Sequence, residues 1–422
     1  LMDTKHIKLR LTVMNFLQFA IWGAYLTSMG RYLGAAGFAE GIGNFYAMQG
    51  IVSLFMPALM GIVADRWIPA QRLLGLCHAI AGLLMFALYG YSLTEAPSYS
   101  VLFSIYALSV AFYMPTLALS NSVAYSSLDQ AGMDLVKSFP PIRVFGTVGF
   151  ICTMITVSLL GVEATSGQFA ISGGIGILLA LYAQTLPHCP TAPKGESKGL
   201  VEALGLRAFS LFKQRKMALF FIFSMLLGVS LQITNGFANP FISTFGEVPA
   251  FAETFGVKHA NILISLSQLS ETLCILLIPF ALRRFGIKIV MLIAMVAWVL
   301  RFAFLGLGDP GAGVWLFLLS MIVYGVAFDF FNVSGSLFVD KETDPSIRSS
   351  AQGLFMIMTN GIGATLGSLG AQAVINHFVY SEHDVYAQLA GWSMSWYIFA
   401  AYAAIVAVLF ALLFHYKEDV AR

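Results

Sequence analysis

Two carboxyl groups stand out by where they fall. Of the 21 acidic residues, only Glu271 and Asp329 lie deep inside apolar runs, one about midway and the other somewhat past the middle of its segment. A carboxyl in hydrocarbon is costly, which makes such a residue a functional candidate by default. It can take up and release a proton or hold a polar ligand; the plain alternative is a hydrogen bond to a neighbouring helix. Other polar side chains share that depth. Gln232 and Asn235 are three residues apart on one helical face, as are Gln268 and Glu271. Tyr324 and Phe328, four apart, make an aromatic wall beside Asp329. In FPPIRVFGTVGF (139–150), Arg143, Thr147 and Phe150 fall at i, i+4 and i+7, after prolines that fit a first helical turn, while Gln18, Trp22 and Tyr25 form a further stripe. Amides, a carboxylate and rings grouped this way suit a neutral, hydroxyl-rich ligand. Singly, each is more often an interhelical hydrogen bond, and Arg143 alone also reads as a cation snorkelling to the interface.

Other chemistries find no footing. Cys77, Cys152, Cys189 and Cys274 are scattered, so neither a disulfide framework nor a metal site is indicated. The chain has no H-E-x-x-H, nucleophile elbow or P-loop, which argues against a membrane-embedded enzyme, a cofactor and direct coupling to ATP. A net charge of +2 gives no basic field for nucleic acid.

The elements that must position these residues are membrane helices. With 58% hydrophobic and only 10% charged residues among 422, the chain cannot cover a water-facing surface, and lipid must be its solvent. Twelve stretches are long enough to cross a hydrocarbon core: 11–33, 41–63, 71–92, 99–124, 142–162, 167–186, 217–244, 258–282, 287–307, 313–336, 349–376 and 392–415. The first is read as a retained helix rather than a signal peptide. The polar segment 187–216 divides the chain into six-helix bundles over 1–186 and 217–422. Short echoes link the halves: Val110-Ala111-Phe112 with Val326-Ala327-Phe328, Pro141-Ile142-Arg143 with Ser346-Ile347-Arg348, and Pro57 with Pro279.

Of the 23 Lys and Arg residues, all but Arg31, Lys258 and Arg301 fall on one side if the N-terminus is inside, from Lys5 and Lys8 through Lys194 and Lys198 to Lys417 and Arg422. The positive-inside rule then makes both termini and 187–216 cytoplasmic.

GIVADRWIPAQR (61–72), between the second and third stretches, resembles a signature of the major facilitator superfamily. Gly61 would let helices approach closely, and Asp65, Arg66 and the later cation Arg72 would pair or cap helix ends in one state of a transport cycle. The bland reading is a charged turn. Longer strings narrow the resemblance. FMPALMGIVAD (55–65), AGMDLVKSFPPIRVFGTVGF (131–150), FFIFSMLLG (220–228), LQITN (231–235), SQLSETL (267–273), SMIVYGVAFDFFNVSGS (320–336) and SAQGLF (350–355) are similar to the nucleoside:proton symporter family of that superfamily. The resemblance spans about 11–416 and implies an all-α fold of twelve transmembrane helices in two six-helix bundles. It implies uptake of nucleosides such as uridine or adenosine across a bacterial inner membrane, driven by protons through alternating access, by a monomer in the lipid bilayer. It also implies that Arg143, Thr147, Phe150, Gln232, Asn235, Gln268, Glu271, Tyr324 and Phe328 bind nucleoside, and that Asp329 couples the proton. Tyr25, Phe145 and Gly236 depart from the pattern beside the site. A permease for a related hydroxylated solute, xanthosine or a sugar, is the runner-up, ahead of an enzyme or a passive channel.

Overall fold

The computed structural model describes residues 4–191, 195 and 199–417. Lys194, Lys198 and Arg422, which entered the charge argument, lie outside the described residues, as does Glu196 and the side chain of Lys5. Among the described residues all regular structure is helical. Among the described residues nine helices are long and apolar enough to cross a bilayer, and one of them, Ala260–Leu307, is two spans joined at a turn. Thr4–Gly23, which starts with several charges, and the 17-residue Gly167–Ala183 supply the remaining two of twelve.

In chain order, α1 is Thr4–Gly23 with its continuation Met29–Ala35, α2 is Ala39–Arg66, α3 Ala70–Ser92, α4 Tyr99–Gln130, α5 Leu135–Leu159 and α6 Gly167–Ala183. Then follow α7 (Arg215–Glu247), α8 and α9 (the parts of Ala260–Leu307 before and after Gly286), α10 (Val314–Glu342), α11 (Arg348–Tyr380) and α12 (Val385–Leu413). The chain forms two compact units: Leu1–Phe38 with Ile51–Leu204, and Ala39–Gly50 with Gly205–Arg422.

In the first unit, α1 packs on α5, and α3 on α4 and α6. Between apolar helices in lipid, close van der Waals approach does the work that the hydrophobic effect does in water. Gly149 makes it possible here, because a Cβ at that position would overlap the Phe16 carbonyl of α1. Asp134 accepts the Val136 N–H at 3.0 Å and starts α5 at Leu135, earlier than the expected 142. Pro140 and Pro141 therefore sit inside α5 rather than in its first turn.

The second unit has an aromatic core. Phe220 lies 4.5 Å from Phe338 and 5.5 Å from Phe355, while Phe241 lies 5.6 Å from each of Phe317, Trp392 and Trp396. Each such pair adds about 0.5–1.5 kcal/mol beyond area burial. Around this core α8 packs on α10, α9 on α10 and α12, and α7 on α11. Gly286 turns α8 into α9 at φ 79°, a left-handed conformation that glycine adopts without strain. The opening of α2 belongs to this unit as well: the Gly43 N–H donates to Gln372 Oε1 at 2.6 Å, and Gln372 Nε2 donates to the Ala39 carbonyl at 3.0 Å. Two helices depart from regular winding where they meet. α7 tightens over 229–232, where the Ser230 and Leu231 N–H groups donate three residues back to the Leu227 and Gly228 carbonyls, and α11 widens to a π-helix over Ile357–Gly363. Such breaks in membrane helices frequently mark functional sites.

Candidate functional site

In the second unit the break in α7 places its polar pair. Gln232 ends the tightened turn and Asn235 lies in the first turn of the next helical stretch, and Asn235 Nδ2 donates to Gln232 Oε1 at 2.9 Å. This leaves the Gln232 NH₂ as a donor and Asn235 Oδ1 as an acceptor beside each other. Gln268 and Glu271 of α8 lie near the Tyr324 hydroxyl of α10, as does Asp329. Tyr324 and Phe328 of α10 stack with centroids 5.7 Å apart, and Trp298 of α9 stands edge-on to Tyr324 at 5.9 Å. Glu271 is half-buried. Asp329 is only 4% exposed, faces Glu271 electrostatically, and its Oδ2 has no hydrogen-bond partner among the described residues. A buried acceptor without a partner is unusual in a native structure and asks for a reason.

Behind these groups lies a cation that the sequence reading misplaced. Arg301 was assigned to the outer side, but it sits inside α9, 2% exposed, and donates to side chains or carbonyls of three other helices. Its signal was periodicity: Trp298, Arg301, Phe302 and Leu305 fall on one buried stripe.

In the first unit, the Arg143 guanidinium lies 3.9 Å from the Phe19 ring centroid, a cation–π contact with α1 rather than a free interfacial cation. Phe150 meets Trp22 edge-on at 6.3 Å, and Trp22 is 5.9 Å from Tyr113 of α4. Thr147 is half-buried on the same stripe. The α1 stripe splits. Trp22 joins this aromatic group, but Gln18 is wholly buried, donating to Thr116 Oγ1 at 2.8 Å and contacting His78 Nε2 at 2.7 Å. Tyr25 packs edge-on to Tyr106 at 6.2 Å. Gln18 and Tyr25 thus tie helices together. The His78 contact was not foreseen, since one histidine in an apolar run carries no spacing signal.

At the end of α2 Asp65 is half-buried and Arg66 exposed, and Arg72, in the first turn of α3, is exposed as well. Among the described residues, no atom outside its own helix and chain neighbours lies within 4 Å of where a Gly61 Cβ would be.

Twelve membrane helices in two units, with paired amides, rings and a buried carboxyl at membrane depth, define a secondary transporter of the major facilitator fold. The chain belongs to the nucleoside H⁺ symporter family, whose model matches residues 5–419. It is 49% identical over 416 residues to a xanthosine permease of Escherichia coli (98% of this chain, 97% of the relative) and 47% identical, with the same coverage, to the nucleoside permease NupG of that organism. A crystal structure of a mutant form of the nucleoside transporter NupG superposes with a TM-score of 0.91 at 46% identity, covering 97% of this chain and all of that one.

Proposed function

We propose that this protein carries nucleosides inward across a bacterial inner membrane with protons, by alternating access of bundles 1–186 and 217–422 joined by a cytoplasmic linker 187–216. It works as a monomer in the bilayer with both termini cytoplasmic, and makes or breaks no covalent bond. What supports the reading is a pair of hydrogen-bonded amides, Gln232 and Asn235, on α7 of the unit in which Glu271, Tyr324 and Asp329 interact and the buried Asp329 keeps an oxygen with no partner among the described residues.

The roles follow from the groups. The donor on Gln232 beside the acceptor on Asn235 matches a ribose diol or the amide edge of a base, and Gln268 and Glu271 extend that pattern. The Tyr324 and Phe328 rings give the base an apolar face. Arg143, Thr147 and Phe150 supply contacts from the first bundle, and Asp65, Arg66 and Arg72 act as the conformational latch of the transport cycle. Asp329 exchanges the proton. It lies on α10 beside the Tyr324/Phe328 stripe, so it can change charge without giving up a ligand contact.

The test is Asp329→Asn in proteoliposomes under an imposed pH gradient. The amide mimics a permanently protonated acid, so nucleoside binding is retained and gradient-driven accumulation is lost. Accumulation with unchanged pH dependence would remove Asp329 from the coupling role and turn the test to Glu271→Gln. The xanthosine permease relative favours a second reading, a preference for xanthosine. Competition among uridine, adenosine, guanosine, xanthosine and a hexose separates the two.

A further inference from the structure

Arg301 is a permanently charged group in the interior of the second unit, and among the described residues it forms no ion pair. A buried cation of this kind is destabilising unless its donors are well used. Here the two terminal nitrogens are spread over three helices, while Nε has no partner among the described residues. Nη2 donates to Thr234 Oγ1 of α7 at 3.0 Å. Nη1 donates to the Ser320 carbonyl of α10 at 3.0 Å and to Ser267 Oγ of α8 at 3.3 Å. The guanidinium carbon lies 4.5 Å from the Tyr324 ring centroid, and Ser320 Oγ returns a bond to the Arg301 carbonyl at 2.9 Å.

All of these anchors but Ser320, which lies one helical turn before Tyr324, adjoin a proposed ligand or are one. Thr234 lies between Gln232 and Asn235, Ser267 precedes Gln268, and Tyr324 is itself a ligand. The three helices that present these groups are therefore pinned to one planar fork. We propose that Arg301 is a positioning residue for nucleoside recognition: it fixes the spacing of α7, α8 and α10 so that their polar groups present one hydrogen-bonding pattern. This rests on the site reading above. A lysine would keep the charge but not the fork, because an ammonium is a point charge that cannot hold three directions in one plane. Loosened helices would still bind, with lower affinity and less discrimination among bases.

The test measures equilibrium binding of radiolabelled uridine, adenosine and xanthosine to purified, monodisperse protein. Arg301→Lys is expected to weaken the best-bound nucleoside about tenfold and to narrow the spread of affinities among the three. Thr234→Val weakens binding about threefold in the wild-type background and adds nothing in Arg301→Lys, because the two act through one contact. A merely structural cation would lower thermal stability without changing selectivity or showing this non-additivity. Should Arg301→Lys fail to fold, Thr234→Val and Ser267→Ala decide, each expected to weaken binding about threefold. Gln232→Ala runs alongside: if it binds normally, the site reading falls and this inference with it. If it loses binding while Arg301→Lys, Thr234→Val and Ser267→Ala keep wild-type affinity and selectivity, the inference alone is overturned.

Discussion

Removing Gln232, Asn235, Gln268 or Glu271 one at a time leaves polar groups of a bound nucleoside without partners in a site cut off from water. An unmet buried donor or acceptor costs about 1–3 kcal/mol, so each Ala substitution is expected to weaken binding roughly five- to 150-fold. Gln232→Ala and Asn235→Ala should fall short of additivity when combined, because the two amides share a 2.9 Å bond. Calorimetric or filter-binding titration of the folded variants checks both statements, and unchanged affinity in all four would refute the assignment. These residues were legible in the sequence because a polar group in an apolar run is conspicuous. Arg301 was conspicuous too, but a rule about loops assigned it to an end. What its side chain reaches depends on three other helices, and no local pattern records that.

At the scale of the helix, two positions were decided by contact. Gly149 brings α5 onto the α1 backbone, and Gly149→Val would force the helices apart; overpacking of this kind costs about 1–3 kcal/mol. We expect a lower Tm in detergent and weaker nucleoside binding, since Phe150, the next residue, would lose its register against Trp22. A matched Gly61→Val control, placed where no atom lies within 4 Å, should leave Tm unchanged. Equal losses at both sites would mean that membrane-helix propensity, not packing, is being measured. Helix existence followed from hydropathy. The tightened turn at 229–232 did not, because its residues are compatible with regular helix and the break lies where α7 meets the π-helical stretch of α11.

For the molecule as a whole, orientation is the sharpest prediction. The asymmetry of Lys and Arg predicts that 187–216 is cytoplasmic, and Arg301, one of the three exceptions, is buried in the second unit rather than in a loop. A single cysteine at position 196 in a cysteine-free background should resist an impermeant thiol reagent added to intact cells and react after permeabilisation. Efficient labelling from outside would invert the topology. The sequence by itself determined that this chain lives in lipid, crosses it twelve times, and carries a small set of polar residues at depth, because transfer into hydrocarbon penalises charge and polarity residue by residue. Family strings then pointed to nucleosides and protons, and the family model and relatives agree. Only the tertiary structure decided which polar residues serve each other. Gln18 turned inward to His78 and Thr116, and Arg301 joined α7, α8 and α10. A hydrogen bond is satisfied in three dimensions, by whichever helix packing brings within about 3 Å, and sequence spacing fixes that distance only within one helix.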